Sequence, residues 1–178
     1  MKKTILLFIS LILILNYGCE RDDLCPESTL TTPSLIIDAF DVDNQEDSKN
    51  VFGLLAAGVG SEDALPDYSV VNTANIILPL KTTEDTTRYQ LIQDYSINDN
   101  GTPDDTSDDF AEGNQDIITI SYTREEIYVS RACGYKTIFK DVEISVENDT
   151  DNWIQLIQPV NNPQSVEDET AAHFNLFH

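Results

Sequence analysis

Short runs in which apolar and polar residues alternate recur along this chain. In residues 142–146, Val142, Ile144 and Val146 alternate with Glu143 and Ser145. A period of two residues places the apolar side chains on one face of an extended strand. Asn, Asp, Gly and Pro separate the runs, as expected for turns. We therefore predict about nine short strands, at residues 34–40, 51–59, 73–80, 87–93, 115–123, 126–132, 135–146, 153–160 and 172–178.

No segment after residue 20 sustains the apolar period of an amphipathic helix. Many short strands without helices favour two antiparallel sheets packed face to face. We predict that residues 34–178 form a single antiparallel β-sandwich domain, immunoglobulin-like in its general architecture. In the second predicted strand, Gly53 and Gly58 indicate a bulge or the close approach of another backbone.

The first residues have the composition of a signal peptide. Lys2 and Lys3 precede an apolar run at residues 5–15 that only Ser10 interrupts. This run is about half as long as a membrane-spanning helix requires. We therefore predict that residues 1–18 are a signal peptide, which is cleaved off and takes no part in the fold.

The signal segment ends in LNYGC, residues 15–19, and resembles the lipobox of bacterial lipoproteins. In that family the Cys becomes the lipidated first residue of the mature protein, which implies lipidation of Cys19. Asn16 stands where Leu is usual, as in the relaxed lipoboxes of Bacteroidota lipoproteins. Residues 19–33 then form the lipidated Cys and a short tether at the outer membrane. The alternative is an ordinary secretory signal that happens to contain a Cys.

Acidic residues directly follow Cys19. The segment ERDD, residues 20–23, resembles the export signal of surface-exposed Bacteroidota lipoproteins. This resemblance favours the cell surface over the periplasmic face of the outer membrane. A chance match is the alternative, because the chain is acidic throughout.

The charge balance limits the classes of partner. The chain has 32 Asp and Glu against 10 Lys and Arg, a formal charge of −22. We predict no nucleic-acid partner, because phosphates require Lys and Arg. Anionic lipid head groups also repel an acidic surface, so the lipid anchor must hold the protein at the membrane.

Cations are concentrated in residues 122–141, which contain four of the ten Lys and Arg residues. In one interpretation they pair with neighbouring carboxylates such as Asp141, because an unpaired buried charge is very costly. In the other, Arg131, Lys136 and Lys140 form a binding surface for an envelope protein or glycan.

The acidic segment DYSINDNGTPDDTSDD has the spacing of a cation-binding loop. It resembles the DxDxDG calcium loops, although Ser96 occupies the first ligand position. Calcium prefers clustered oxygen ligands around a sharp bend, which Gly101 permits. Asn98, Asn100 and Asp104 are therefore candidate calcium ligands, and no other cofactor is predicted. The alternative is a solvated hairpin loop without metal.

Catalytic chemistry has weaker support, and we predict that the protein is not an enzyme. His173 and His178 lie five residues apart on a predicted strand, hence on opposite faces, and we expect them to face solvent. The sequence has no Ser/His/Asp arrangement on a sharp turn. Paired carboxylates can cleave glycosidic bonds, but they mark no particular site among 32 Asp and Glu residues.

Cys25 and Cys133 are the two thiols that remain once Cys19 carries lipid. An even pair of thiols usually closes in an exported protein. We therefore predict a Cys25–Cys133 disulfide, with two separate buried thiols as the alternative. The bond would hold the domain close to the membrane, because Cys25 follows Cys19 by only six residues.

Several segments together resemble an uncharacterised family of Bacteroidota lipoproteins: CERDDLCPE, TTPSLII, NDNGTPDD, YVSRACGYK, DNWI and AAHFNLFH. The resemblance implies class and location without a mechanism. The leading hypothesis is a lipid-anchored, non-catalytic binding or structural module of the cell envelope. The alternatives are a hydrolase of envelope glycans or peptides that uses paired carboxylates, and a calcium-stiffened structural spacer.

Overall fold

The computed structural model describes residues 24–26, 29, 31–61 and 63–178. Within these ranges the chain forms nine strands and a short 3₁₀ helix, Thr106–Asp108. No helix in this described part is long and apolar enough to cross a membrane. The strands are β1 (Leu35–Phe40), β2 (Val51–Gly58), β3 (Ala64–Thr73), β4 (Asn75–Leu78), β5 (Thr86–Asn98), β6 (Phe110–Ser130), β7 (Gly134–Val146), β8 (Leu156–Pro159) and β9 (Phe174–Phe177).

The strands form two sheets, with the orders β4-β1-β9-β8 and β3-β2-β5-β6-β7. Neighbouring strands are antiparallel, except that β1 and β9 pair in parallel. The first and last strands of the domain thus lie side by side. The predicted all-β sandwich is confirmed, and the parallel pair is the departure from a purely antiparallel fold.

The core lies between the two sheets and follows the alternation of the sequence. Ile118 and Ile120 in β6 are fully buried, as are Leu35 and Ile37 in β1. The residue between the two β6 isoleucines, Thr119, is only partly buried. Burial of each large apolar side chain contributes about 1.5–3 kcal/mol relative to exposure.

Two strands differ from the sequence-based assignment. The alternation does not predict β3, because only Tyr68 of its ten residues is buried. The two strands predicted at 115–123 and 126–132 belong to a single strand, β6, of 21 residues. The charged residues between them stay in the sheet, since Arg124 pairs with Phe139 and Glu125 with Ile138.

The five-stranded sheet is distorted where β2 and β6 both come close to the middle of β5. Gly53 has φ +54°, and a Cβ there would lie 3.1 Å from Asp94 Cα, as the predicted close backbone approach requires. Asp94 itself has φ +53°. Gly113 has φ +136°, and a Cβ there would lie 2.8 Å from the Gln93 carbonyl oxygen. Only glycine fits such a position without strain. The β5–β6 pairing shifts register here, between Gln93 and Ser96.

Both histidines are buried, and the expectation that they face solvent is wrong. Nδ1 of His173 accepts a hydrogen bond from the Ile36 backbone N–H at 2.9 Å. Its Nε2 lies 3.0 Å from the Asp168 carbonyl oxygen, which makes Nε2 the protonated nitrogen. His178 packs edge-on against Trp153. Burial lowers the pKa of both rings, so both are structural groups that link β9 to its neighbours.

Candidate interaction site at the β6–β7 hairpin

The predicted cationic segment forms the β6–β7 hairpin, which ends in a tight turn after Ser130. Ser130 pairs with Gly134, and the hydroxyl of Ser130 accepts a hydrogen bond from the Cys133 backbone N–H at 3.0 Å. Gly134 has φ +71°, a conformation that glycine adopts without a steric penalty. The turn therefore fixes Cys133 at the end of the sheet. We call residues 128–135 the hairpin tip.

A disulfide joins the hairpin tip to the tether. Cys25 and Cys133 are bonded, with their Cα atoms 4.8 Å apart and a sequence separation of 108. The structure thus contains the bond that the sequence predicts. Further along, the Thr32 hydroxyl accepts a hydrogen bond from the Thr137 N–H at 3.0 Å. The described part of the tether therefore contacts the β6–β7 hairpin at two points, the turn at Cys133 and the edge strand β7 at Thr137.

Between the tether and the hairpin tip lies an open cavity of about 550 Å³. Its lining includes Leu24 and Pro26 from the tether and Tyr128 and Arg131 from the hairpin. Tyr128 pairs across the strands with Tyr135, with the rings edge-on and their centroids 5.4 Å apart. Both tyrosines and Leu24 are exposed. The tip therefore combines aromatic, aliphatic and cationic groups on one surface.

The three candidate partner-binding residues have different environments. Arg131 is exposed and lines the cavity. Lys136 Nζ donates to the Glu167 carbonyl oxygen at 3.1 Å, and Lys140 forms an ion pair with the Glu167 carboxylate. The two lysines are thus held by Glu167, which lies in a distant part of the sequence. Hydrogen bonds from the Lys140 ammonium and the Ser165 hydroxyl lower the pKa of Glu167.

The structure places the candidate calcium ligands in the acidic loop at residues 99–109, which joins β5 to β6, and at the adjoining end of β5. The oxygen of the Asn98 side chain accepts from the Asn100 N–H at 2.9 Å. Asp108 accepts from Asn100 Nδ2 at 3.0 Å and from the Thr102 hydroxyl at 2.8 Å. Asp104 is exposed. Among the described residues no group of three or more His, Cys, Asp or Glu is arranged to hold a metal ion. Calcium binding by the amide oxygens with Asp104 stays a prediction.

Asp116 is a buried carboxylate that sequence reasoning missed. It is 0% exposed. Its two oxygens accept hydrogen bonds from Asn152 Nδ2 at 3.0 Å and from the Ile154 N–H at 2.8 Å. Burial raises its pKa, although the hydrogen bonds oppose this. Asp116 fixes the segment that precedes β8. The signal was present in the sequence, since Asp116 has the same parity as Ile118 and Ile120.

The exposed tyrosine pair was also missed. Tyr128 and Tyr135 fall in apolar runs, where the alternation makes them ordinary strand residues. In the structure both are exposed. The predicted lipidation site, Cys19, and the predicted signal peptide at residues 1–18 lie outside the described residues.

Comparison with known proteins gives one informative result. A family model described as a family of unknown function (DUF6452) matches residues 50–178. The matched region contains Cys133 and the complete β6–β7 hairpin, whereas Cys25 precedes it. No curated protein and no solved structure matches the chain.

Proposed function

The chain belongs to a family of unknown function, DUF6452, and we propose that it is a lipid-anchored protein of the outer membrane whose β-sandwich binds or supports another envelope component. The Cys25–Cys133 disulfide carries this proposal. Such bonds form and persist in exported proteins and are rare in the cytosol. Export in turn agrees with the signal peptide and the lipobox-like sequence at Cys19.

We infer that different segments of the chain have different roles. Cys19 carries the lipid, the tether and its disulfide position the domain, and the sandwich supplies the contact surface for an envelope protein or glycan. The rim of residues 131–140 is the proposed contact surface, because it holds Arg131, Lys136 and Lys140 in a chain of formal charge −22. Cations in such a setting favour anionic groups on the partner.

Lipid labelling in cells tests the anchor. Cys19→Ser should abolish incorporation of a labelled fatty acid and leave the protein unprocessed or released. Cys25→Ser is the matched control and should keep the label, since charged residues rather than a lipobox precede Cys25. Labelling that survives Cys19→Ser would refute the anchor.

Pull-down from solubilised outer membrane tests the contact surface. Arg131→Glu and Lys136→Glu should each reduce the recovery of co-purifying components. Lys81→Glu is the matched control, because Lys81 is an exposed cation outside the hairpin that pairs with Glu84. Unchanged recovery with both hairpin variants would reject the surface, and an equal loss with Lys81→Glu would reduce it to a general charge effect.

Protease treatment of intact cells tests display on the cell surface, which the acidic residues after Cys19 favour. The wild-type domain should be degraded, whereas replacement of Asp22 and Asp23 with Ala should protect it. Cells lysed before treatment serve as the control for the intrinsic protease sensitivity of the fold. Protection of the wild type in intact cells, together with degradation in lysed cells, would assign the protein to the periplasmic face.

A further inference from the structure

We propose that the hairpin tip is a membrane-contact surface, with Tyr128, Tyr135 and Leu24 seated in the interfacial layer of the bilayer that holds Cys19. The inference rests on the lipid anchor proposed above and adds a second, non-covalent contact. It assigns the exposed apolar groups of the tip to lipid rather than to a protein partner.

The first support is the chemistry of the exposed groups. Leu24 is 82% exposed, Tyr128 58% and Tyr135 66%. Tyrosine combines an apolar ring with a polar hydroxyl, and it is enriched at the head-group level of membranes for this reason. The two rings are held edge-on by the β6–β7 pairing. They therefore form a preorganised pair of exposed aromatic rings at the end of the sheet.

The second support is the length of chain between the lipid and the tip. Six peptide steps join Cys19 to Cys25, and a fully extended chain spans at most about 3.5 Å per residue. Cys25 therefore stays within roughly 20 Å of the lipidated residue. The disulfide then places Cys133, and with it the hairpin tip, beside Cys25. The bilayer is consequently the nearest large apolar phase available to the tyrosines.

The third support is the distribution of charge. The hairpin tip, residues 128–135, contains Arg131 and no Asp or Glu, although the chain carries a formal charge of −22. The acidic loop between β5 and β6 lies at the other end of β6. The 21 residues of β6 separate the two ends by up to roughly 65 Å at about 3.3 Å per residue. An orientation with the tip down keeps the most acidic loop far from lipid phosphates.

Tryptophan reporters in lipidated protein test this geometry. The full-length mature protein, with lipid on Cys19, is reconstituted in vesicles of phosphatidylethanolamine and phosphatidylglycerol that contain brominated acyl chains. We expect bromolipid to quench the added emission of Tyr135→Trp strongly. Phe110→Trp is the matched control, because Phe110 is also an exposed aromatic, 48% exposed, and lies at the acidic end of β6. The native Trp153 is buried and provides a common background.

The outcomes separate the inference from the anchor. Lipid on Cys19 with equal quenching of both reporters, or quenching of neither, would overturn the membrane contact and leave the anchor standing. An unlipidated Cys19 in cells would overturn both. If Tyr135→Trp is unquenched and Tyr128→Ser abolishes the recovery of a co-purifying protein, the tip is a protein-binding surface and the inference is wrong.

A second variant guards against an effect of tryptophan itself. Tyr128→Trp places the reporter on the neighbouring strand of the same tip and should be quenched as strongly as Tyr135→Trp. Addition of Arg131→Glu to the Tyr135→Trp protein should weaken the quenching in vesicles rich in phosphatidylglycerol. Quenching of only one of the two tip reporters would contradict the proposal that both tyrosines contact the bilayer.

Discussion

The two ends of β6 are stabilised by different kinds of contact. At the hairpin tip, β6 ends in a turn that a disulfide fixes to the tether, and the nearby cations Lys136 and Lys140 contact Glu167. At the start of β6, the acidic loop is stabilised by its own side chains. Asp99 and Asp105 each accept a hydrogen bond from a backbone N–H two residues ahead. One end thus depends on contacts between distant segments and the other on local turns.

This difference implies different local stability. Contacts between distant segments break only when a large part of the fold opens, whereas a local turn can open on its own. The hairpin tip is consequently the end that we expect to open last, and the acidic loop the end that we expect to open locally.

Removal of the disulfide should have the largest effect. Replacement of both Cys25 and Cys133 with Ser should lower the free energy of unfolding by about 4–5 kcal/mol in the chain-entropy model, because the bond joins residues 108 apart. Urea unfolding measures the loss against the oxidised wild type. Amide hydrogen exchange should accelerate at the tip and not in the acidic loop. Equal acceleration at both ends would contradict the proposed difference in local stability.

Gly113→Ala should come next. The added Cβ would lie 2.8 Å from the Gln93 carbonyl oxygen at φ +136°, and strain together with overpacking costs about 2–4 kcal/mol. Gly101→Ala is the matched control, since Gly101 also has a positive φ, of +78°, but a Cβ there would meet no other group within 4 Å. Thermal or urea unfolding of both variants measures the difference. Equal losses would show that the close approach of the two strands adds nothing.

The carboxylates at the two ends should respond differently to substitution and salt. The ammonium of Lys140 lowers the pKa of Glu167, whereas the neutral side chains of Asn100 and Thr102 lower that of Asp108. Lys140→Gln should raise the Glu167 pKa, and Asn100→Ala that of Asp108. Salt should raise only the first, because screening weakens interactions between charges. Titration followed by carboxyl NMR signals measures both.

The sign of the pH effect follows from these depressed values. A carboxylate whose pKa is lower in the folded state stabilises the fold above its unfolded pKa. That contribution is lost as the pH falls through the folded value. Glu167 and Asp108 therefore both contribute to stability above about pH 4.5 and lose it on acidification. A salt-independent Glu167 pKa would contradict its assignment to the lysine.

Calcium should have the smallest effect. Millimolar calcium should raise the melting temperature by at most about 2–4 °C, which corresponds to about 1 kcal/mol. Asp104→Asn together with Asn100→Ala should abolish the shift, and magnesium at the same concentration controls for ionic strength. An unchanged melting temperature in the wild type would identify the acidic loop as a solvated turn.

Alternation marked β4 and the middle of β6, where buried residues alternate with exposed or partly buried ones. In β1 and β7 three consecutive residues are buried, and an apolar run rather than an alternation predicted β1. Alternation failed for β3, an edge strand in which only Tyr68 is buried. It also divided β6 at its charged residues, because none of residues 123–130 is buried and no apolar face marks this part of the strand. Burial of His173 and His178 depends on the parallel pairing of β1 with β9, which joins segments far apart in the sequence.

For the candidate site, cysteine counting predicted the disulfide because only one pairing was left. The partner of Lys140 was not predictable, since Glu167 is 27 residues away and reaches β7 only after the chain has folded back. Sequence proximity favours the local carboxylate Asp141 instead. Exposure of Tyr128 and Tyr135 likewise depends on tertiary packing, since Tyr122 in the same strand is buried.

The Cys25–Cys133 bond also determines how the molecule would carry mechanical load. A pulling force that enters along the tether reaches Cys25 and passes through the sulfur atoms directly to Cys133. Strands β1 to β6 lie between these two residues in the chain and are bypassed by the tension. Only β7, β8 and β9 lie on the loaded path towards a partner held beyond residue 133. While the bond is intact, most of the sandwich is thus shielded from extension.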